Sequence, residues 1–324
     1  MVKLASAEMA EKKLATRAAF GATLAELAEE GVPVVAVDAD LTGSTTTKKF
    51  AAAAPENADK LFNCGIAEQN MIDVAAGLAL TGHVAYTGSF AVFGTGRAYD
   101  QIRNTVCYSN LDVKICPTHA GVSVGPDGGS HQMLEDVSLM RGLPNMRVLV
   151  PADYAAARAA IKLAAKTPGP VYVRMGRAAV PCVYDDDVEL EIGRAYVLRE
   201  GSDATVVACG VEIREALAAA DMLAEEGVSI EVIDAFSVKP LDEDTITASV
   251  AKTGCCVVAE EHSVHGGLGS AVAECLARKN PAPCEFVGVQ DRFGKSGEFE
   301  ELLGYFNLDA AAIVEAVKRA WGRK

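Results

Sequence analysis

The strongest constraint on the fold is an alternation: short runs rich in β-branched residues are each followed by an alanine-rich stretch of helical period. PVVAVDAD (33–40), HVAYTGSF (83–90), VKICPTH (113–119), MRVLVPAD (146–153) and PVYVRMG (170–176) read as strands. None shows the polar/apolar alternation of a strand with one wet face, so the expected sheet is mainly parallel and covered on both sides. Helical patterns lie at 9–31, closed by Gly31, and at 65–82, 93–110 and 154–169, while TGSTTTKKF (42–50) and the glycine-rich 118–132 read as loops. The acidic, proline-containing stretch 180–195 has little helical pattern and reads as a linker or edge hairpin. The βα alternation then restarts with strand-like runs at 204–210, 228–235, 255–261 and 284–289. The expected architecture is α/β in two domains, 1–185 and 186–324, each a mainly parallel sheet with helices on both faces.

Charge and cysteine usage narrow the function. Thirty Lys+Arg against forty-four Asp+Glu leave the chain at −14, which argues against a nucleic-acid surface but not against one basic pocket for a small anion. Nine cysteines without a CxxC pair suit reduced thiols and a cytoplasmic setting. The N-terminal segment has no apolar signal core, and no apolar run reaches the ~18 residues of a membrane span.

Familiar phosphate motifs are missing: there is no GxxxxGK[ST], and the GTG at 94–96 lacks the third glycine of a dinucleotide loop. GGLG at 266–269 opens a helix after a strand, where it either receives an anion or simply lets helix and strand approach. Glu68 stands early in an otherwise apolar helix. It is either a carboxylate favoured by the helix dipole or a carboxyl able to share a proton with a ligand. His119, Asp127 and His131 lie in the glycine-rich loop after a strand, the end of an α/β sheet where ligands bind. Their spacing fits no common metal pattern, so no metal ligand is expected in this chain. Asp40 and Ser44 follow another strand end, Arg174 and Arg177 a third, and Arg17 falls on the first helical pattern. Each alone has a bland reading as a cap or surface charge; their clustering at the strand ends of one domain does not.

Taken in order, ATR (15–17), DADLTGS (38–44), FNCGIAEQNM (62–71), TGSFAVFGTGRAYDQIRN (87–104), the loop 118–132, VLVPAD (148–153) and VRMGR (173–177) become recognisable. With VVAEEHSVHGGLGS (257–270) and DRFGKSG (291–297), the chain resembles the C-terminal half of a transketolase: the pyrimidine-binding domain followed by the C-terminal domain. The resemblance implies thiamine diphosphate, whose aminopyrimidine is activated by a glutamic acid matching Glu68 and held by aromatics matching Phe90 and Phe93, with Asp40 nearby. It implies that His131 and Asp127 contact the donor ketose, His131 also stabilising charge on the reacting oxygen. Arg17, Ser44, His119 and Arg177 match the set that receives the sugar phosphate, with Arg174 as the neighbouring alternative. The aromatic that often follows the phenylalanine pair is replaced by Gly96, so the outer contacts of the cofactor are expected to differ.

The family fixes the diphosphate through Mg²⁺ held by a Gly-Asp-Gly…Asn sequence, and no Gly-Asp-Gly occurs in these 324 residues. The resemblance therefore implies one subunit of a split transketolase of the pentose phosphate pathway. An N-terminal-half partner would carry the metal site, most simply in an α2β2 heterotetramer. The alternatives are a 2-oxo acid dehydrogenase β subunit and a non-catalytic scaffold subunit.

Overall fold

The computed structural model describes residues 2–324. Fourteen strands follow one another along the described chain. Those of the first half are β1 (Lys13–Ala15), β2 (Val34–Asp38), β3 (Leu61–Asn63), β4 (Val84–Gly88), β5 (Val113–Ile115), β6 (Arg147–Leu149), β7 (Val171–Val173) and β8 (Ala179–Pro181). The second half carries β9 (Tyr196–Arg199), β10 (Ala204–Ala208), β11 (Ile230–Asp234), β12 (Ser237–Lys239), β13 (Cys256–Ser263) and β14 (Cys284–Val289). The larger sheet has the order β12-β6-β7-β5-β4-β2-β3, parallel throughout except for β12. The smaller runs β14-β13-β10-β11-β9, with only the edge strand β9 antiparallel. Strands β2, β4 and β10 are buried at every residue, as the unbroken apolar runs require of a sheet with helices on both faces.

The sequence expectation is corrected in three places. The helical pattern at 9–31 divides: Lys13–Ala15 leaves to pair with Ala179–Pro181, and the long helix starts only at Ala18, ending at Glu29 before Gly31 (φ 83°). The loop expected at 42–50 is two short helices, Thr42–Thr45 and Thr47–Ala53, joined at Thr46. The helix expected at 93–110 is largely two π-helical stretches, Val92–Arg97 and Ile102–Tyr108. A seventh strand, β12, also crosses over: it comes from the second half of the chain and extends the first sheet, so the two layers are stitched together. All nine cysteines are free. Among the described residues no helix is long and apolar enough to cross a membrane.

Candidate active site

The connections leaving the C-terminal ends of β2, β3, β4, β5 and β7 bring the candidate residues to one edge of the larger sheet. Glu68 is the first residue of the helix Glu68–Leu80, which follows a tight turn with Gly65 at φ 69°. Its carboxylate is 1% exposed. Arg97 Nη1 donates to Oε2 at 2.7 Å and the Ser89 hydroxyl to Oε1 at 3.4 Å.

The same arginine lies over an aromatic face, its guanidinium carbon 4.6 Å from the Phe93 ring centroid. Phe90 and Phe93 stack at 6.2 Å with planes 13° apart. The π-helical turn that starts at Val92 carries Phe93 and Arg97 four residues apart, and the Thr95 hydroxyl ties it to the Ala91 carbonyl at 2.6 Å. Such wide turns recur at functional sites because they re-aim the side chains they carry. Next to Gly96, Arg97 thus covers the Phe93 ring, a residue that sequence reasoning passed over.

His119 stacks on Phe90 at 3.8 Å and shares a hydrogen bond of 2.7 Å between Nδ1 and the Thr118 hydroxyl. Its backbone has φ 61°, an uncommon conformation for a non-glycine residue, of the kind that clusters at functional sites. Burial pushes the imidazole down to about 3, and Arg17, Arg177 and His131 add to the shift; His119 is neutral at physiological pH. His131 stands edge-on to Phe93 at 5.4 Å and is tethered through Nδ1 to the Ser130 hydroxyl at 2.9 Å. Asp127, exposed, ends the turn Val122–Asp127.

Arg17 and Arg177 face this cluster as free cations: among the described residues neither has a carboxylate within ion-pair reach. Arg17 caps the helix Ala18–Glu29 and donates to the Ser44 carbonyl at 2.8 Å; burial lowers its pKa and the like charge of Arg177 adds to that. Arg177 donates to the Val124 carbonyl at 2.9 Å. Arg174 is in a different situation. It is buried, with Nε 2.7 Å from Asp136 Oδ2 and Nη2 2.9 Å from the Glu261 carbonyl, so its donors are already taken.

Asp40 stands exposed on the rim at φ 66°, accepting from Asn63 Nδ2 at 3.1 Å. The acid that organises this strand end is Asp38, two residues earlier and fully buried. Its oxygens accept from the Leu41 amide (2.6 Å) and the Thr45 and Thr47 hydroxyls (2.7 and 2.8 Å), which folds the turn that presents Ser44. Burial raises the Asp38 carboxyl despite these bonds. The segment then packs on the helix of Arg17: Gly21 donates to the Thr46 hydroxyl at 3.1 Å, and any Cβ at Gly21 would overlap the Thr46 carbonyl.

The GGLG segment resolves to its structural reading. The Glu260 carboxylate accepts from Leu268 and Gly269 amides, both at 2.8 Å, so the helix N-terminus already holds an internal anion. Among the described residues no cluster of three His, Cys, Asp or Glu side chains is placed to hold a metal ion.

Residues 12–183 match the model of the transketolase pyrimidine-binding domain, and residues 193–313 that of the transketolase C-terminal domain. A putative transketolase C-terminal section from Methanocaldococcus jannaschii is 45% identical over 304 residues, covering 93% of this chain and 94% of that protein. A 6-deoxy-6-sulfo-D-fructose transketolase subunit from Clostridium sp. (strain MSTE9) is 42% identical, covering 93% of this chain and 92% of its own length. Among solved structures, a split-gene transketolase described as an inactive β4 tetramer superposes with a TM-score of 0.87 at 48% identity, over 96% of this chain and 99% of that one.

Proposed function

The chain belongs to the transketolase family, and from that premise we propose that it is the C-terminal-half subunit of a split, thiamine-diphosphate-dependent transketolase moving a two-carbon ketol unit between sugar phosphates. The observation that carries this reading is the juxtaposition of buried Glu68 with the stacked Phe90–Phe93 pair, on the sheet edge where Arg17 and Arg177 stand unpaired.

The residues suit the coenzyme. Arg97 presents a flat, cationic N–C–N group that rests on the Phe93 ring while bonded to Glu68. A slot that accommodates such a group is chemically matched to an aminopyrimidine, which is also flat and nitrogen-rich. Thiamine diphosphate, when bound, supplies a nucleophilic carbon and an electron sink for breaking and making the bond beside a ketose carbonyl.

This chain's part is binding, orientation and proton handling. Glu68 hydrogen-bonds the pyrimidine ring nitrogen and can hold or release a proton there; Phe90 and Phe93 fix the ring plane, and Asp40 lines the rim. His131 and Asp127 contact donor hydroxyls, with His131 placed to stabilise charge on the carbonyl oxygen. Arg17, Ser44, His119 and Arg177 receive the phosphate: two free guanidinium forks can each pair two oxygens, and neutral His119 has a ring N–H to donate. Arg177 takes this role rather than Arg174, whose fork is committed to Asp136. An anionic sulfonate would meet the same donors, so the reading fixes an anionic ketose and leaves its substituent to assay.

The magnesium–diphosphate site belongs, in this proposal, to an N-terminal-half partner carrying Gly-Asp-Gly…Asn, the pair assembling as an α2β2 heterotetramer in the cytoplasm. Transketolase relatives covering 93% of this chain disfavour the 2-oxo acid dehydrogenase alternative. The test is reconstitution with that partner, thiamine diphosphate and Mg²⁺, followed by product analysis with xylulose 5-phosphate plus ribose 5-phosphate and, separately, pyruvate. Ketol transfer from the first pair, lost in Glu68→Gln and Glu68→Ala with the fold retained by circular dichroism, is the expected result. Near-wild-type turnover in either variant would remove Glu68 from the mechanism.

A further inference from the structure

None of the residues assigned above to coenzyme or sugar comes from the second half of the chain. Yet two of its segments that the sequence singled out, VVAEEHSVHGGLGS and DRFGKSG, press directly on the loop 118–132 that carries His119, Asp127 and His131.

The first contact is Glu261 on β13, buried at 3% exposure. Its carboxylate crosses from the smaller sheet to the loop and accepts both from the Ser123 backbone N–H and, at 3.2 Å, from the Ser123 hydroxyl. Ser123 is the second residue of the turn Val122–Asp127. One residue on, the Val124 carbonyl receives Arg177; the turn then ends at Asp127. The carboxylate sits so close under the loop that Gly121, at φ 80°, has no room for a Cβ. Behind it lies Arg174, 3.8 Å from Oε2 and itself held by Asp136.

The second contact closes the other end of the loop. Gln132 Oε1 accepts from the Lys295 amide at 2.8 Å, while Nε2 donates to the Lys295 carbonyl at 2.9 Å and to the Val122 carbonyl at 3.1 Å. A Cβ at Gly129 would stand 2.7 Å from the Gly294 carbonyl oxygen. The loop is thus pinned at both ends by the second half of the chain, and among the described residues of that half Glu261 is the one ionisable side chain bonded to it.

We propose that Glu261 is a positioning residue for sugar-phosphate recognition: by gripping Ser123 it sets the turn that orients Arg177 and Asp127. The inference rests on the site reading above and extends it, giving the C-terminal domain a part in substrate affinity. A carboxylate accepting a backbone N–H makes a stronger bond than the neutral acid does, so the grip depends on Glu261 being ionised. Burial pushes Glu261 up to about 7, opposed by Arg174 and by the two bonds from Ser123. The other groups facing it are Asp136, which raises it further, and Glu212, a buried carboxyl that burial holds well above its ordinary range. The grip therefore weakens as pH falls through neutrality.

The test uses the reconstituted two-subunit enzyme with wild type, Glu261→Gln and Ser123→Ala. Glu261→Gln keeps the shape and one acceptor oxygen but removes the charge. It should raise KM for xylulose 5-phosphate about tenfold with kcat within about twofold, the factor corresponding to loss of one charge-assisted bond. The wild type should show a rise of KM between pH 8 and pH 6, and Glu261→Gln should abolish it. Ser123→Ala, which keeps the backbone donor, should show a smaller KM increase and retain the pH dependence. Inorganic phosphate binding by calorimetry gives a second readout, expected to weaken in Glu261→Gln by a similar factor. If Glu261→Gln matches wild type in KM, in its pH profile and in phosphate affinity, the proposal is refuted. If the wild type lacks ketol transfer but Glu261→Gln still weakens phosphate binding, the functional reading fails and the positioning role stands.

Discussion

Replacing Arg97 by methionine removes the cation that lies between Phe93 and Glu68. Its guanidinium makes two contacts, 2.7 Å to the Glu68 carboxylate and 4.6 Å to the Phe93 centroid, and these are the carboxylate and one of the rings that the functional reading assigns to the aminopyrimidine. On that reading the coenzyme displaces Arg97, and the worth of the Arg97 contacts is subtracted from its affinity. Exposed ion pairs contribute about 0–1 kcal/mol, whereas breaking a fully buried pair costs about 3–5 kcal/mol. Here the carboxylate is 1% and the arginine side chain 48% exposed, which puts the pair between those limits. With a small cation–π contribution the sum is about 2 kcal/mol, since methionine keeps the packing on the ring. Arg97→Met should therefore destabilise the isolated subunit by about that amount, lowering Tm by about 4–8 °C. In the reconstituted enzyme it should tighten thiamine diphosphate binding about 30-fold, because that free energy no longer opposes entry. Calorimetric titration of the coenzyme in the presence of Mg²⁺, together with melts of the subunit alone, measures both. A variant that melts earlier but binds the coenzyme no better than wild type, or worse, would refute the displacement argument and make Arg97 a ligand of the coenzyme instead.

Three further outcomes follow from the same geometry. Arg177→Ala should raise KM for phosphorylated substrates about 10- to 100-fold with Tm nearly unchanged. Arg174→Ala, which strands buried Asp136, should destabilise the chain by about 3–5 kcal/mol in chemical denaturation; the reverse pattern would exchange their roles. His119 titrates lower in the folded chain, at about 3, than its ordinary value of 6.5, so its contribution to stability is present above pH 6.5 and lost as pH falls toward 3. His119→Asn should therefore gain on wild type by about 1.4 kcal/mol per pH unit below pH 6.5, and parallel denaturation curves at pH 7.0 and 5.5 would contradict this.

What the sequence made legible, and what it hid, divides by the distance over which each feature is decided. Apolar runs and the helices after them are local, so the parallel sheets and the edge where Asp40 and His119 stand could be read directly, whereas Phe90 came to the site only with the family resemblance. Lys13–Ala15 looked helical because its neighbours are; it is a strand only because Ala179–Pro181, more than 160 residues later, offers it an edge. Arg174 and Arg177 are three positions apart in one motif and chemically identical. What separates them is Asp136, placed 2.7 Å from one of them by the tertiary fold. Asp38 and Asp40 pose the same problem, and burial at the end of β2 assigns the organising role to the first. Arg97 stands four residues after Phe93, a spacing that puts two side chains on one face of a helical turn, but only the tertiary fold brings the Glu68 carboxylate to that face as well. Glu261 is the extreme case. Its neighbour in the motif, Glu260, serves a local purpose at a helix terminus, while Glu261 points to the opposite face of the same strand and reaches a loop 138 residues earlier. Two adjacent glutamates on one strand thus serve two different domains, because alternation across the strand sends one inward to its own helix and the other outward to the loop 118–132.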